Sequence, residues 1–191
     1  MAEVHAQVRE EKLDPEREAR RRVALAQIRQ YPDPALRMRA NEVDDFDEDL
    51  ARLVERMTAL MRDANGVGLA ATQVGVLRRL FVYQAAEDEE PAAVVNPRIE
   101  VRGEERETDD EGCLSIQGVH VPVERATAVS LIGKDVAGGD YRRELEGPGA
   151  RVVQHELDHL DGMLMLDRTT VAARKAAMAV LRPRLVVSGL R

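Results

Sequence analysis

An α+β domain, with antiparallel sheets packed around a C-terminal helix, is the architecture this chain predicts. Three observations predict it. Short runs of β-branched and aliphatic residues are gathered between residues 80 and 145, helical periodicity flanks them on both sides, and the last long helix carries two histidines four residues apart. There are no internal repeats and no low-complexity tracts.

The elements follow in order. Residues 1–22 hold six basic and six acidic side chains and no apolar run, so they read as a charged helix or mobile arm, with Pro15 a break. Tyr31-Pro32-Asp33-Pro34 is turn chemistry, because a residue before proline is pushed out of the helical region. Asp44 to Asp49 is an acidic helix entrance. Leu50, Leu53, Val54, Met57, Leu60 and Met61 then recur at helical spacing, predicting an amphipathic helix that ends near Asn65-Gly66. Strands are expected over 80–83 and 93–101, the second bent or bulged at Asn96-Pro97. The polar stretch 104–111 is expected as a loop or exposed hairpin. Further strands are expected over 119–123, 126–132 and 141–145, the last two joined by a turn at Gly138-Gly139-Asp140. Gly147-Pro148-Gly149 starts the histidine helix, and 170–181 forms a closing helix stopped before Pro183. The expected organisation is an arm over 1–22, a catalytic domain over 23–170 and a helix and tail over 171–191.

Composition narrows the function. With 44% hydrophobic and 33% charged residues the chain is an ordinary globular protein, and 3% aromatics leave the core to aliphatic side chains. A net charge of −7 argues against a DNA or general nucleic-acid binder and against an anionic membrane surface. One cysteine cannot form an internal disulfide, which fits a reducing cytosol. No secretory or transit signal and no apolar run of membrane length is visible, so a cytoplasmic location is expected.

Three stretches carry chemistry. His155 and His159 stand at i and i+4, on one helix face, so both rings can reach one ion, while Glu156 is turned about 100° away. Cys113, in Glu111-Gly112-Cys113-Leu114-Ser115, would supply a third ligand and leave a fourth position open, the pattern of a catalytic metal site. Alone, this cysteine would read as a small buried side chain. The third stretch, Gly66-Val67-Gly68-Leu69-Ala70-Ala71-Thr72-Gln73, reads equally as a tight helix-to-strand connection or as part of a site. A phosphate loop is excluded, since no Gly-Lys-Ser/Thr follows.

Taken in this order, the three stretches closely resemble the peptide deformylases, from about residue 28 to about residue 167, with Tyr31-Pro32-Asp33-Pro34, Asn96-Pro97 and Asp158-His159-Leu160-Asp161-Gly162 agreeing. The resemblance implies a metal-dependent hydrolase that removes the N-formyl group from the initiator methionine of new polypeptides and releases formate. It implies one divalent ion, Fe(II) favoured and Zn(II), Ni(II) or Co(II) as substitutes, on Cys113, His155 and His159. Glu156 would act as general base and then general acid on water activated by that ion. The Gln73 side-chain amide and the Leu114 backbone N–H would hold the oxyanion. Gly66, Val67, Gly68 and Glu111 would meet the substrate, Gly68 by letting an amide approach where no Cβ intervenes. The implied partners are N-formylmethionyl peptides and nascent chains. A transient ribosome contact is expected, with Arg174, Lys175, Arg182 and Arg184 as the basic C-terminal patch such docking would need, and a monomer is expected.

The chain also departs from the pattern. Gln117 stands where proline is usual, His120 where an arginine is common, and Arg125 keeps a second basic position. Pro148 and Gly149 replace bulkier residues expected to help line the methionine pocket. Two other readings compete. A zincin-type peptidase needs a third ligand downstream, commonly Glu or His, and no histidine follows His159. An idle binding protein would not need the matched residues intact.

Overall fold

The computed structural model describes residues 14–182, so the first 13 residues of the expected arm and the last nine of the tail, Arg184 included, lie outside the described residues. The elements are helices α1 (Pro15–Leu25) and α2 (Glu48–Asp63), strands β1 (Gly68–Ala70), β2 (Leu80–Tyr83), β3 (Ala92–Arg102), β4 (Arg106–Cys113), β5 (Ile116–Ala126), β6 (Ala128–Lys134) and β7 (Asp140–Glu146), then helices α3 (Gly147–Leu160), α4 (Met165–Arg168) and α5 (Val171–Leu181). β1-β2-β3-β6-β7 form a five-stranded antiparallel sheet, and β4 and β5 pair as a separate two-stranded ribbon.

Alternation along β2 explains why this sheet is covered on both faces. Leu80 and Val82 point to one side and join Leu50, Met57 and Met61 of α2. Phe81 and Tyr83 point to the other and join Val153, Leu157 and Leu160 of α3. A third cluster closes the ribbon: Ile116, Val119, Val121 and Val123 pack on Met165 and Leu166 of α4 and on Ala173 and Ala177 of α5. α2 starts as its sequence dictates, with the Asp47 carboxylate accepting the Leu50 N–H at 2.9 Å and acids in the first turn. Asn65, at φ +55°, turns the chain out of it. The bend in β3 is a register shift between Val95 and Arg98. Asn96 sits there at φ +50° and exchanges two hydrogen bonds with the Val43 backbone, at 2.8 and 2.9 Å.

Two expectations need correction. Pro15 opens α1 instead of breaking it: the first turn needs no proline N–H, and Asp14 accepts from the Glu16 and Arg17 amides at 3.0 Å. α1 also runs across the expected boundary at residue 22, with Ala24 and Leu25 buried in the core. Of the two alternatives for residues 104–111 the structure takes the exposed hairpin: most belong to β4, whose partner β5 supplies the apolar residues that a strand of its own acids lacks. Two short elements carry no sequence signal long enough to read, β1 with the 3₁₀ turn Ala71–Val74 after it, and α4.

Candidate active site

α3 and the turn between β4 and β5 meet over one point. The Nε2 atoms of His155 and His159 lie 3.2 Å apart, and Cys113 Sγ is 3.2 Å from His159 Nε2. The three ligand atoms all fall within 4.8 Å of one another. Tetrahedral coordination with metal–nitrogen bonds of about 2.1 Å and a metal–sulfur bond of about 2.3 Å requires edges of roughly 3.4–3.6 Å. The triad needs only a few tenths of an ångström of expansion to hold an ion, and its donor set fits a divalent ion of intermediate softness.

The imidazoles are prepared differently. His155 donates from Nδ1 to Glu111 Oε2 at 3.0 Å, which leaves the Nε2 lone pair facing the other ligands. His159 Nδ1 is buried without a partner among the described residues. Burial, then the neighbouring His155, holds His159 far below the usual histidine range, in the neutral form that ligation requires. Burial works against protonating His155 too, but its hydrogen bonds to Cys113 and Glu111 outweigh it and raise that ring's pKa.

Glu111, expected to touch substrate, borders the cleft but turns its carboxylate inward. Oε1 accepts from Arg125 Nε (2.9 Å) and Arg151 Nη1 (3.1 Å); Oε2 accepts from Arg125 Nη2 (3.0 Å) and His155 Nδ1 (3.0 Å). A carboxylate has about four acceptor sites, and all are taken. Burial alone would raise the Glu111 pKa, but the His155 and Arg125 hydrogen bonds bring it down to about 2. Behind it Arg125 continues to Asp158 Oδ2 at 2.6 Å, and Arg168 of α4 reaches Asp158 Oδ1 at 2.6 Å. Arg125 therefore serves an interior ion network, not the substrate. Asp158 and Arg168 escaped sequence reasoning. The only signal was an acid placed between the two histidines of a buried helix.

Glu156 is 4% exposed, and its Oε2 has no partner among the described residues. Burial pushes this carboxyl up to about 7 against the opposing pull of His155. Gly68 stands against it: a Cβ there would lie 2.2 Å from Glu156 Oε1 and 2.7 Å from its Cδ. The missing side chain thus makes room for the Glu156 carboxylate, while the Gly68 backbone borders the cleft. Gly66 fits likewise against Leu114, whose Cδ1 a Cβ would meet at 2.6 Å.

Gln73 is buried above the triad. Its Oε1 accepts the Ala70 N–H at 2.8 Å, and its Nε2 donates to Ser115 Oγ at 3.1 Å and approaches Cys113 Sγ at 3.6 Å. These groups and Val67 border a cleft of about 360 Å³. His120 lies on its wall, exposed, with its ring over Gly112, and Gln117 donates to Gln30 Oε1 at 2.9 Å. Pro148 and Gly149 are not in that wall: Gly149 packs towards Ala85, and α3 faces the cleft with Arg151, Val152, His155 and Glu156.

The Polypeptide deformylase family model matches residues 25–175. The chain belongs to the polypeptide deformylase family. It is 48% identical over 162 residues to Peptide deformylase 1 of Corynebacterium efficiens, covering 84% of this chain and 96% of that protein. It is 44% identical over 162 residues to the Peptide deformylase of Thermotoga neapolitana, covering 85% and 95%. The crystal structure of the Thermotoga maritima peptide deformylase superposes with a TM-score of 0.72 at 44% identity, covering 75% of this chain and 96% of that one. A Plasmodium falciparum peptide deformylase in complex with an inhibitor gives 0.74 at 36% identity, covering 81% and 96%. With deformylase membership comes the activity: this is a metal-dependent hydrolase that removes the N-formyl group from the initiator methionine of newly made polypeptides. No helix among the described residues is long and apolar enough to cross a membrane.

Proposed function

We propose that Glu156 carries the proton of this deformylation, while the Gln73 amide and the Leu114 backbone N–H hold the developing oxyanion. One observation carries the reading: a cysteine sulfur and two imidazole nitrogens converge beside a buried carboxyl group with an uncommitted oxygen. When bound there, a divalent ion supplies Lewis-acid polarisation and an acidified water; Fe(II) is favoured, with Zn(II), Ni(II) and Co(II) as substitutes.

The residues then divide the work. Glu156 takes a proton from water and returns it to the departing amine, so that neither a strong base nor an anilide-like leaving group is needed. Gln73 is preset by the Ala70 N–H on its oxygen, and its weak contact with Cys113 Sγ is the one an oxyanion can replace. β1 has a neighbour on one side only, so Gly66, Val67 and Gly68 offer a sheet edge along which an extended formylmethionyl chain can pair. Ile116, Val119 and Val152 give the methionine side chain an apolar wall.

A monomer is the proposed working unit. The enzyme is placed by this reading in the cytoplasm, meeting nascent chains through transient ribosome contact; a net charge of −7 supports contact that is local and not a broad affinity for RNA. Formate release from formyl-Met-Ala tests the reading. Glu156→Gln should lower turnover by about 10²–10⁴ with metal content unchanged. Wild-type turnover in that variant removes Glu156 from the proton path, and metal-loaded wild type without formate release points to an idle binding protein.

A further inference from the structure

The cleft wall contains one residue that none of the three motifs supplies. Arg21 comes from α1, a helix anchored by buried Ala24 and Leu25 and packed on α2, whose end leads into Asn65 and Gly66. Its neighbours Arg20 and Arg22 are exposed, but Arg21 is half-buried against the cleft.

The other arginine in this wall is fully committed. Arg151 gives its guanidinium to Glu111 Oε1, to Val123 O at 2.8 Å and to Glu107 O at 3.0 Å. Among the described residues Arg21 makes no ion pair or side-chain hydrogen bond, and it faces the cleft. The remaining ionisable groups on the wall outside the triad and its carboxylates are Asp110 and His120, both exposed on the ribbon.

Burial sets the direction of the cleft. Glu156 and His159 are 4% and 1% exposed, whereas Arg21 meets solvent, so the formyl group must reach the buried end and the polypeptide must leave past the open one. An extended chain advances about 3.3–3.6 Å per residue, which places its second and third residues roughly 7–10 Å beyond the formyl carbon. A formylated terminus has no charge of its own. The charge available to Arg21 is an acidic side chain downstream.

We propose that Arg21 is a specificity residue that favours nascent chains with Asp or Glu at the third position. This deepens the deformylase reading and rests on it. The contact is made in ground state and transition state alike, so it acts on KM and not on kcat.

The test uses C-terminally amidated peptides, formyl-Met-Ala-Xaa-Ala with Xaa as Glu, Gln or Lys, so that no terminal carboxylate competes for the guanidinium. Wild type should show a Glu-over-Lys preference in kcat/KM of about threefold to fivefold, carried by KM and weakened by salt. Arg21→Lys should retain much of it, Arg21→Ala should bring the ratio towards one, and Arg21→Glu should invert it. Equal use of all three peptides by wild type, or a Glu preference that survives Arg21→Glu, overturns the proposal. A preference appearing only with free C-terminal acids assigns the contact to the terminal carboxylate and also overturns it. Wild type that releases no formate from any peptide fails the deformylase reading instead.

Discussion

Arginine meets carboxylate at two places in this molecule with opposite consequences. On the outer face of α2, Arg52 reaches Asp49 and Glu48, with all three side chains more than 60% exposed. Behind the metal triad, Arg125 bridges Glu111 and Asp158, with all three at 10% or less. The partners are the same; the solvent is not. In water the attraction is screened and the ions are content apart, whereas in the interior each charge is tolerated only because the others are present. The interior group also has a task the surface group lacks. It fixes the carboxylate that orients His155.

The largest expected effect breaks that interior set. Arg125→Ala leaves Glu111 and Asp158 facing one another with fewer cationic partners, and loss of one member of a buried pair costs about 3–5 kcal/mol. Urea unfolding should show it as a lower midpoint at unchanged slope. A variant as stable as wild type would mean the network is hydrated and the contrast with α2 is false.

Gln73→Leu sharpens the contrast by separating stability from catalysis. The side chain is buried and polar like Arg125 but uncharged, and its proposed partner exists only during turnover. Removing one oxyanion donor costs about 2.7–4 kcal/mol of barrier. A fall in kcat of a hundredfold or more is expected, with metal content intact. Wild-type kcat in this variant would return Gln73 to a purely structural place under Ala70 and Ser115.

Glu111→Gln asks how far the interior network reaches the ligands. The amide can keep one contact to His155 Nδ1 but loses the charge that makes the imidazole a better donor. Metal affinity should drop about 10–100-fold, read by competition with a chelator. Unchanged affinity would show that His155 is oriented by α3 alone.

The same contrast explains what the sequence could and could not reveal. Periodicity found α2, β2, β3 and α3 because burial imposes a repeat on long elements. β4 was legible only as one of two alternatives, because its acids face water and its apolar support belongs to β5, a dependence invisible along the chain. The proximity of His155 and His159 was legible since helix geometry fixes i and i+4 on one face. Glu111 was placed beside the substrate by resemblance, and only the three-dimensional path of Arg125, 14 residues onward, shows its oxygens already taken. The packing role of Gly68 was missed for the same reason: nothing in Gly66-Val67-Gly68 says that a carboxylate 88 positions later fills the space. Long-range partners of charged groups are the part of the site that spacing does not encode.

The smallest expected effect lies on α2, and it is the control for all the others. Arg52 sits three and four residues after its acids, so rotation of any one side chain into water loses little that water does not return. The order also matters: Glu48 and Asp49 lie in the first turn, where the helix dipole already favours them without a cation. Arg52→Ala should therefore move Tm by under about 2 °C and leave formate release unaltered. A drop approaching that of Arg125→Ala would mean that exposure does not set the strength of these pairs. The interior network would then owe its importance to the number of its bonds and not to its burial.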